Sequence, residues 1–384
     1  KSLYGLKQAP QLWNKELTKA LNELGFKRLS SESSIYLRKD DRADGDGDPS
    51  NYKGDQRWVA VLAEVDDLLI TGTDTDYITV MNTYFRDKWH VKDWEPINSF
   101  LGIRIMYDVS RGCLSMDVQN KLDDLYKSHK DGFGKLGYSN VAYLEQPVKS
   151  AMQQPDRALT DTEVYMKRFY ANIVGSLIYL SITCRPDITF AVNQMARGMH
   201  SPQLHHLVQM KQCLKYLNGH RHLALTYRRS GNMIEGLFRQ LGGMDGALQS
   251  LVATSDSPPD PIIMFADASY ADCPVTRKST SGEADYFFNC LTNWRSKRQP
   301  VIATSTHEAE LVALSMAAHE GIWLRRLVEE LGVLGNHDIL GSSGRLPPTP
   351  LLGDNKASTF SANNPSSGTM SKHIDVRYKK VREY

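Results

Sequence analysis

Hydrophobic and polar positions near the start of the sequence follow helical spacing. Leu17, Leu21 and Leu24 recur on one helical face after Pro10, and Gly25 follows them directly. Apolar residues at this spacing, bounded by a proline and a glycine, predict a helix of about 15 residues. This helix is the first predicted element of the chain.

In the next segment the apolar residues no longer follow helical spacing. Two apolar, β-rich runs at residues 58–65 and 68–71 flank the adjacent acids Asp66 and Asp67. The pattern predicts a β-hairpin with both carboxylates at its tip. Such a tip can serve as a metal platform, but aspartate is also common in ordinary turns, so the hairpin alone leaves both interpretations open.

Further elements follow the hairpin. The pattern predicts a helix that ends at Trp89, a strand at residues 100–105 and linker-like sequence at 122–160. The polar run 38–57 faintly resembles a calcium loop, but Pro49 stands where that loop needs glycine. We therefore expect a solvated insertion there.

Helical periodicity returns at residues 169–202 and continues beyond them with basic residues, among them Lys211 and Lys215. That basic face could follow a phosphate backbone. A solvated amphipathic helix would show the same pattern. Both interpretations stay open at this stage.

The segment 230–260 is rich in Gly, Ser and Pro and predicts a domain boundary. A compact pattern of strands and helices follows it. The predicted elements are a strand at 261–267, strands at 283–288 and 291–294, a helix at 306–331, a strand at 350–353 and a final basic helix.

Three acids occupy comparable positions in this last part. Asp267 ends the first strand, Glu310 lies near the start of the long helix, and Asp354 follows the last short strand. A carboxylate beside buried apolar residues is costly unless a cation or hydrogen bonds receive it. Carboxylates from a strand, a helix and a second strand can converge on divalent metal, which phosphodiester hydrolysis requires.

Composition narrows the classes of protein. The 384 residues suffice for two or three domains. The net charge of +2 means that nucleic-acid binding would depend on local basic stripes. Five scattered cysteines favour a reducing intracellular setting. No apolar run reaches the ~20 residues of a membrane span, and a signal-peptide layout is lacking; we expect no membrane partner.

Several motifs occur together in a fixed order. The sequence contains KSLYGLKQAPQLW, EVDDLLITG, FLGIRI, VGSLIYLSITCRPDITFAVN, RKSTSG, STHEAELVALSMAAHEGIWLRRLVEELG, GDNKAS and KHIDVRY. In these motifs and their order it resembles the Pol polyprotein of copia-type LTR retrotransposons, over almost its whole length. The matching part of that polyprotein is the latter part of reverse transcriptase and most of RNase H.

The resemblance implies an α+β (mixed αβ) fold class. It implies a partial reverse-transcriptase palm at residues 1–150, a helical thumb or connection region at 151–229, a linker or insertion at 230–260 and an RNase H-like mixed-sheet domain at 261–384. The family's fingers and first palm acid, and its last RNase H strand, helix and acid, have no match here. Asp375 is expected to cap a helix and not to replace that acid.

For the polymerase part, the resemblance implies that Asp66 and Asp67 are the paired metal-binding acids of the palm. It implies that Gln8 lies near the incoming nucleotide. The family has Tyr where this chain has Glu64, a carboxylate in a run that we expect to be buried. With one palm acid unmatched, we expect no DNA polymerisation by this chain alone.

For the RNase H part, the resemblance implies that Asp267, Glu310 and Asp354 hold two Mg²⁺ (or Mn²⁺) ions. Glu308 and Glu310 cannot both face one metal, because positions two apart on a helix face different directions. The resemblance favours Glu310. The expected nucleic-acid contacts are Ser269, Ser305, Thr306 and Asn355, with Lys211 and Lys215 on the basic helix.

The implied partners are an RNA–DNA hybrid, an RNA template and a DNA primer. The implied location is an intracellular, cytoplasmic particle or the nucleus, and the oligomeric state is left open. Two alternatives stay open: a catalytically inactive nucleic-acid-binding relic of such an element, and an interaction protein without a nucleic-acid role.

Overall fold

The computed structural model of the chain describes residues 7–40, 57–129, 161–200, 202–228, 261–288, 290–332, 346 and 348–363. Its described residues form two compact units. The first unit takes its described residues from Lys1–Leu101, Phe238–Pro261 and His319–Thr349, and the second from Gly102–Leu237, Ile262–Ala318 and Pro350–Tyr384. Three of the expected features lie mostly or wholly outside the described residues: positions 41–56 of the polar run 38–57, the linker at 230–260 and the final basic helix with Asp375.

The first unit is built on an antiparallel sheet with two long helices. Its elements in chain order are α1 (Ala9–Glu23), β1 (Lys27–Arg28), β2 (Ile35–Lys39), β3 (Trp58–Glu64), β4 (Asp67–Gly72), α2 (Thr75–Trp89) and β5 (Ser99–Phe100). The sheet order is β1-β2-β3-β4. Leu17 and Leu21 of α1 join Tyr36, Met81 and Phe85 in one buried cluster. The predicted first helix is therefore confirmed.

The second unit opens with a small antiparallel sheet and a set of helices. Its elements are β6 (Ile103–Asp108), β7 (Cys113–Asp117), α3 (Gln119–Ser128), α4 (Asp161–Thr183), a short 3₁₀ turn (Pro186–Ile188), α5 (Thr189–Ala196), α6 (Leu204–Gly219) and β8 (Leu225–Arg228). Strand β7 pairs with β6 and with β8. Buried apolar residues of α3, α4, α5 and α6 form one core.

Two predictions in this region were wrong. The strand expected at 100–105 is interrupted at Leu101 and Gly102, which have φ of 51° and 80° and so turn the chain. The start of the expected linker is helical, because α3 extends to Ser128 and buries Leu122 and Leu125 in the helical core. The burial of these two leucines helps to stabilise this short helix.

The second unit also contains a mixed sheet. Its strands are β9 (Ile262–Ser269), β10 (Thr280–Phe287), β11 (Cys290–Arg298) and β12 (Leu351–Leu352), in the order β11-β10-β9-β12. Strand β9 is antiparallel to β10 and parallel to β12. A parallel neighbour needs a long crossover, and the helix α7 (Thr306–Leu331) lies in that crossover. Helix α8 (Lys356–Asn363) follows β12.

The predicted strands and the long helix of this part are confirmed, whereas α8 was not predicted. The structure as a whole is a mixture of helices and sheets, as expected. Strand β7, from the predicted palm segment, pairs with β8 from the predicted thumb segment. The boundaries at 150, 229 and 260 stay predictions.

Within the described part of the chain, none of the helices combines the length and the apolar character needed to cross a membrane. The five cysteines are all free thiols.

Candidate metal centre

Strand β9 carries the first acid of the site. Asp267 lies opposite Gly282 of β10, and its neighbours along the strand are Ala266 and Ala268. Ala266 is buried, whereas Asp267 is exposed. Because side chains alternate along a strand, Asp267 and Ser269 lie on the same face of the sheet. Strand β9 thus carries a solvent-accessible carboxylate two residues before its end.

Glu310 is delivered by the second turn of α7. Its side chain is buried, at 7% exposure, and its carboxylate accepts a hydrogen bond from the backbone N–H of Ala268. The pKa of Glu310 is raised to about 7, chiefly by burial and additionally by the nearby charges of Asp267 and Asp354. The hydrogen bond from Ala268 opposes this shift by favouring the charged form.

Asp354 lies two residues after the end of β12. Leu352 of this strand pairs with Phe265 of β9, so the parallel register brings residue 354 to the same end of the sheet as Asp267. Gly353 separates β12 from Asp354. A Cβ placed on Gly353 would come within 3.3 Å of the Leu314 side chain of α7. The small residue allows strand and helix to approach closely just before the acid.

The three acids form one cluster. One carboxylate oxygen from each of Asp267, Glu310 and Asp354 lies within 4.8 Å of the others. Among the described residues, this is the one group in which three or more His, Cys, Asp or Glu side chains meet in this way. Oxygen ligands suit hard divalent cations. The donor set fits a Mg²⁺ or Mn²⁺ ion, since a cation would relieve the repulsion that raises the pKa of Glu310.

Glu308 has a different role from its neighbour. Its carboxylate accepts hydrogen bonds from the backbone N–H of Thr304 at 2.7 Å and from the Thr304 hydroxyl at 2.8 Å. The backbone N–H of Glu308 in turn donates to the Ser305 hydroxyl at 3.1 Å. These contacts cap the start of α7. Glu308 thus stabilises the helix end and is not part of the acid cluster.

Two of the expected nucleic-acid contacts also serve as helix caps. Ser305 caps α7, as described above, and Thr306 is the first residue of that helix. Asn355 accepts a hydrogen bond through Oδ1 from the backbone N–H of Ser358 at 3.0 Å and so caps α8. This contact uses the oxygen of Asn355 and not its amide nitrogen. Asn355 adjoins Asp354 in the chain, so α8 begins at the acid cluster.

The palm-like acids lie in the first unit. The turn of the β3–β4 hairpin consists of Val65 and Asp66, and Glu64 pairs with Asp67 across it. All four residues are exposed. The prediction that Glu64 lies in a buried run was therefore wrong: β3 ends at Glu64, where the sheet meets solvent.

The hairpin tip is held in an unusual backbone conformation. Val65 has a φ of 53°, which is rare for a β-branched residue. Its carbonyl accepts a hydrogen bond from the indole Nε1 of Trp13 in α1. Gln8 lies in the turn before α1 and is exposed. Among the described residues, Glu64, Asp66 and Asp67 at this tip do not form a group of three side chains close enough together to bind one metal ion.

Some basic residues in and just after helix α6 contact other residues of the same unit. Lys211 and Lys215 are half-buried. Arg221, just beyond α6, forms an ion pair with Asp123 at 2.5 Å and lies over the Tyr126 ring at 4.7 Å. The basic residues of this region thus do not form a single solvated stripe.

Sequence reasoning missed a groove that begins at Asp267. It has a volume of about 350 Å³ and its lining includes Phe190, Trp294 and Arg295. Phe190 stands in the motif RPDITF, but apolar periodicity assigns such a residue to the core. Its exposure of 43% depends on how α5 meets the sheet, and the sequence pattern gives no signal for that.

Comparison with known proteins identifies the class of protein. The family described as Reverse transcriptase (RNA-dependent DNA polymerase) matches residues 1–124. No solved structure shows a significant match to the chain. The N-terminal part of the chain is therefore a reverse-transcriptase family domain.

Similar full-length proteins extend the match to the whole chain. It is 29% identical to the retrovirus-related Pol polyprotein from transposon RE1 of Arabidopsis thaliana, over 100% of this chain and 22% of that protein. The corresponding protein from transposon TNT 1-94 of Nicotiana tabacum is 25% identical, over 100% of this chain and 25% of its own length. The one from transposon RE2 of Arabidopsis thaliana is 28% identical, over 100% of this chain and 22% of its own length.

The chain spans about a quarter of the length of these relatives. The family match at its start and the similarity along its whole length support a segment of a retrotransposon Pol polyprotein of the copia type. The resemblance indicated by the sequence motifs is thereby confirmed.

Proposed function

We propose that the second unit hydrolyses the RNA strand of RNA–DNA hybrids with the help of divalent metal ions. The observation that carries this proposal is the convergence of Asp267, Glu310 and Asp354, whose carboxylate oxygens lie within 4.8 Å of one another. The three acids come from a strand, a helix and a second strand of one mixed sheet and its crossover. Their convergence supports the RNase H-like assignment of this part of the chain.

The residues of the cluster have different tasks. Glu310 is buried and anchored by the backbone N–H of Ala268, so it fixes the inner side of the site. Asp267 and Asp354 are exposed and face the approaching phosphodiester. Two Mg²⁺ or Mn²⁺ ions held by these acids would supply an activated water and stabilise the leaving oxygen.

Polar residues beside the cluster give the site a means to distinguish RNA from DNA. The 2′-hydroxyl separates the two nucleic acids, and it can donate or accept a hydrogen bond. Ser269 lies on the same strand face as Asp267, and Asn355 follows Asp354. Together with Ser305 and Thr306 at the start of α7, these residues are proposed to contact the hybrid. Lys211 and Lys215 are proposed to bind phosphates of the same substrate.

The first unit is proposed to take part in DNA synthesis within the longer Pol polyprotein. Its reverse-transcriptase family match supports divalent metal and template–primer binding in this region. The exposed hairpin tip presents Asp66 and Asp67 for metal, and Gln8 lies in the turn before α1. The bond between Trp13 and Val65 links α1 to that tip, which supports a shared site for nucleotide and metal.

The test is cleavage of a labelled RNA–DNA hybrid by the purified chain in Mg²⁺ or Mn²⁺. We expect the wild-type chain to cut the RNA strand and Asp267→Asn to lose this activity. Glu308→Gln is the matched control, because glutamine can keep the helix cap while removing a nearby charge. A folded wild-type chain that leaves the hybrid intact would favour the inactive nucleic-acid-binding relic.

A further inference from the structure

The acid cluster lies at one end of the mixed sheet. Asp267 is among the last three residues of β9, and Asp354 lies two residues after the parallel strand β12. Strand β10 begins at this end and β11 finishes there, because β10 is antiparallel to both of its neighbours. A phosphate at the cluster is therefore close to the loop before β10 and to the last residues of β11.

Three exposed basic residues occupy this end of the sheet. Arg277 lies in the loop before β10, and Lys297 and Arg298 are the last two residues of β11. We name these three residues the basic end of the sheet. They lie in the same compact unit as the three acids.

Arg298 lies on the same face of the sheet as the first acid. It pairs with Thr280, and Thr280 pairs with Ser269. Directly paired residues point to one face, and Ser269 shares its face with Asp267 because side chains alternate along a strand. Two strand spacings and two residue rises separate the Cα atoms of Arg298 and Asp267 by about 12 Å. This distance corresponds to roughly three or four phosphates along the axis of one strand.

The basic end differs from the other arginines nearby in its lack of acidic partners. Arg197 pairs with Asp272 at 3.3 Å, and Arg295 pairs with Glu283 at 2.8 Å, so these arginines are neutralised within the fold. In the part of the chain that the structure describes, no carboxylate lies within ion-pair distance of any residue of the basic end. The positive charge available to a ligand here therefore belongs to the basic end.

Contacts between the loop and β11 hold the basic end together. Cys273 is buried in the loop between β9 and β10, and the Arg298 side chain donates a hydrogen bond to its sulfur. The Nζ of Lys278, in the same loop, donates to the carbonyl of Pro300 beyond β11, at 2.6 Å. Because these contacts join the loop to the end of β11, the cations are preorganised for a ligand.

We propose that the basic end binds backbone phosphates of the hybrid beside the bond that is cut at the acid cluster. The proposal rests on the proposed function for the identity of the substrate, whereas the binding itself requires only phosphates. Lysine and arginine contacts to phosphate carry no sequence information, and each releases counterions. The basic end therefore provides affinity without sequence preference, and this affinity weakens with salt. It also offsets the repulsion between the acids and an approaching phosphate backbone.

Fluorescence anisotropy of a labelled RNA–DNA hybrid, measured in EDTA at several KCl concentrations, tests this proposal. The logarithm of the affinity falls linearly with the logarithm of the salt concentration, and one lost phosphate contact reduces the slope by about 0.9. We expect Lys297→Gln and Arg298→Gln each to reduce the slope by about this amount. Their Kd values should exceed that of the wild type most strongly at low salt.

Two control variants separate charge at this position from charge elsewhere. Arg298→Lys keeps the charge and should keep the wild-type slope. Lys127→Gln is the matched control, because Lys127 is an exposed cation of α3 in the same unit but outside the mixed sheet. Circular dichroism should show that all variants are folded. Wild-type slopes for Lys297→Gln and Arg298→Gln, or an equal reduction in Lys127→Gln, would overturn the proposal.

Cleavage assays separate this proposal from the proposed function. Asp267→Asn should lose cleavage but keep the wild-type salt slope in EDTA, since it removes no cation. A wild-type chain that leaves the hybrid intact would contradict the cleavage proposal, and reduced slopes for Lys297→Gln and Arg298→Gln would still support the basic end. A wild-type chain that cuts the hybrid, with unchanged slopes for both variants, would overturn the basic end alone.

Discussion

The carboxylate of Glu310 accepts a hydrogen bond from the backbone N–H of Ala268, the residue that follows Asp267. The bond ties α7 to β9 at the point where two acids meet. It fixes Glu310 in a buried position beside Asp267 and Asp354, which raises its pKa to about 7. The cluster is therefore electrostatically costly when all three acids are charged.

The first prediction concerns pH and metal. The folded-state pKa of Glu310 is raised from 4.5 to about 7, so its contribution to stability is full below the lower value and is lost as pH rises through the higher one. A divalent cation offsets this loss by stabilising the charged form. Mg²⁺ should thus raise Tm more at about pH 8 than at about pH 5.

Glu310→Gln is the control for this prediction. It removes the titrating group and should flatten both the pH dependence and the Mg²⁺ effect. An equal Mg²⁺-dependent rise in Tm at both pH values in the wild-type chain would show that Glu310 is not linked to metal binding.

The second prediction concerns the cap of α7. Glu308→Ala removes the acceptor for the backbone N–H and hydroxyl of Thr304. Loss of a helix cap typically costs about 1 kcal/mol. Urea unfolding should show a loss of this order for Glu308→Ala and a smaller one for Glu308→Gln. A Glu308→Ala variant as stable as the wild type would argue against the capping role.

The third prediction concerns Gly353. A Cβ at this position would come within 3.3 Å of the Leu314 side chain. Gly353→Ala should destabilise the chain by about 1 to 3 kcal/mol, as overpacking does, and displace Asp354. Both unfolding free energy and metal affinity should fall.

Gly175→Ala is the matched control for Gly353→Ala. Gly175 lies in α4, and a Cβ there would meet no atom within 4 Å. Alanine should stabilise this helix by about 0.5 to 1 kcal/mol. If both substitutions had the same effect, the close approach of β12 and α7 would be contradicted.

The fourth prediction concerns the ion pair between Arg197, which follows α5, and Asp272, which follows β9. Arg197 contacts Asp272 at 3.3 Å, and both side chains are largely buried, at 14% and 11% exposure. Arg197→Met leaves Asp272 without this cation and should cost about 3 kcal/mol or more. Asp272 also accepts from Gln194 and Thr280, which limits the loss.

Denaturant unfolding of Arg197→Met, followed by fluorescence, measures this cost. Arg104→Met is a useful comparison, because Arg104 is more exposed, at 39%, although it also pairs with a buried aspartate, Asp117. Its substitution should cost less. A larger loss for Arg104→Met would contradict the ranking by burial.

Long periodic segments could be predicted from the sequence because many residues repeat the same signal. The helix Thr306–Leu331 was predicted with the bounds that the structure has, and the β3–β4 hairpin was recognised from its two apolar runs. The turn at Leu101 and Gly102 escaped prediction, because one glycine within an apolar run gives a weak signal. Helix α8 escaped because it has eight residues, too few to show a clear period.

The acids of the site were named from the sequence, but their convergence was not. Whether Asp267, Glu310 and Asp354 meet depends on the parallel pairing of β12 with β9, a contact between residues far apart in the chain. Helix geometry indicated that Glu308 and Glu310 cannot both face the site, and the family resemblance pointed to Glu310 as the ligand. The exposure of Phe190 was not, since it depends on tertiary packing of α5.

The most direct measurement of the central claim is isothermal titration of the purified chain with Mg²⁺ or Mn²⁺. The account predicts that the wild-type chain and Glu308→Gln bind the ion alike, whereas Asp354→Asn loses most of the affinity. Circular dichroism should show that all three chains are folded. Equal binding by Asp354→Asn and the wild-type chain would contradict the proposal that the three acids hold the metal.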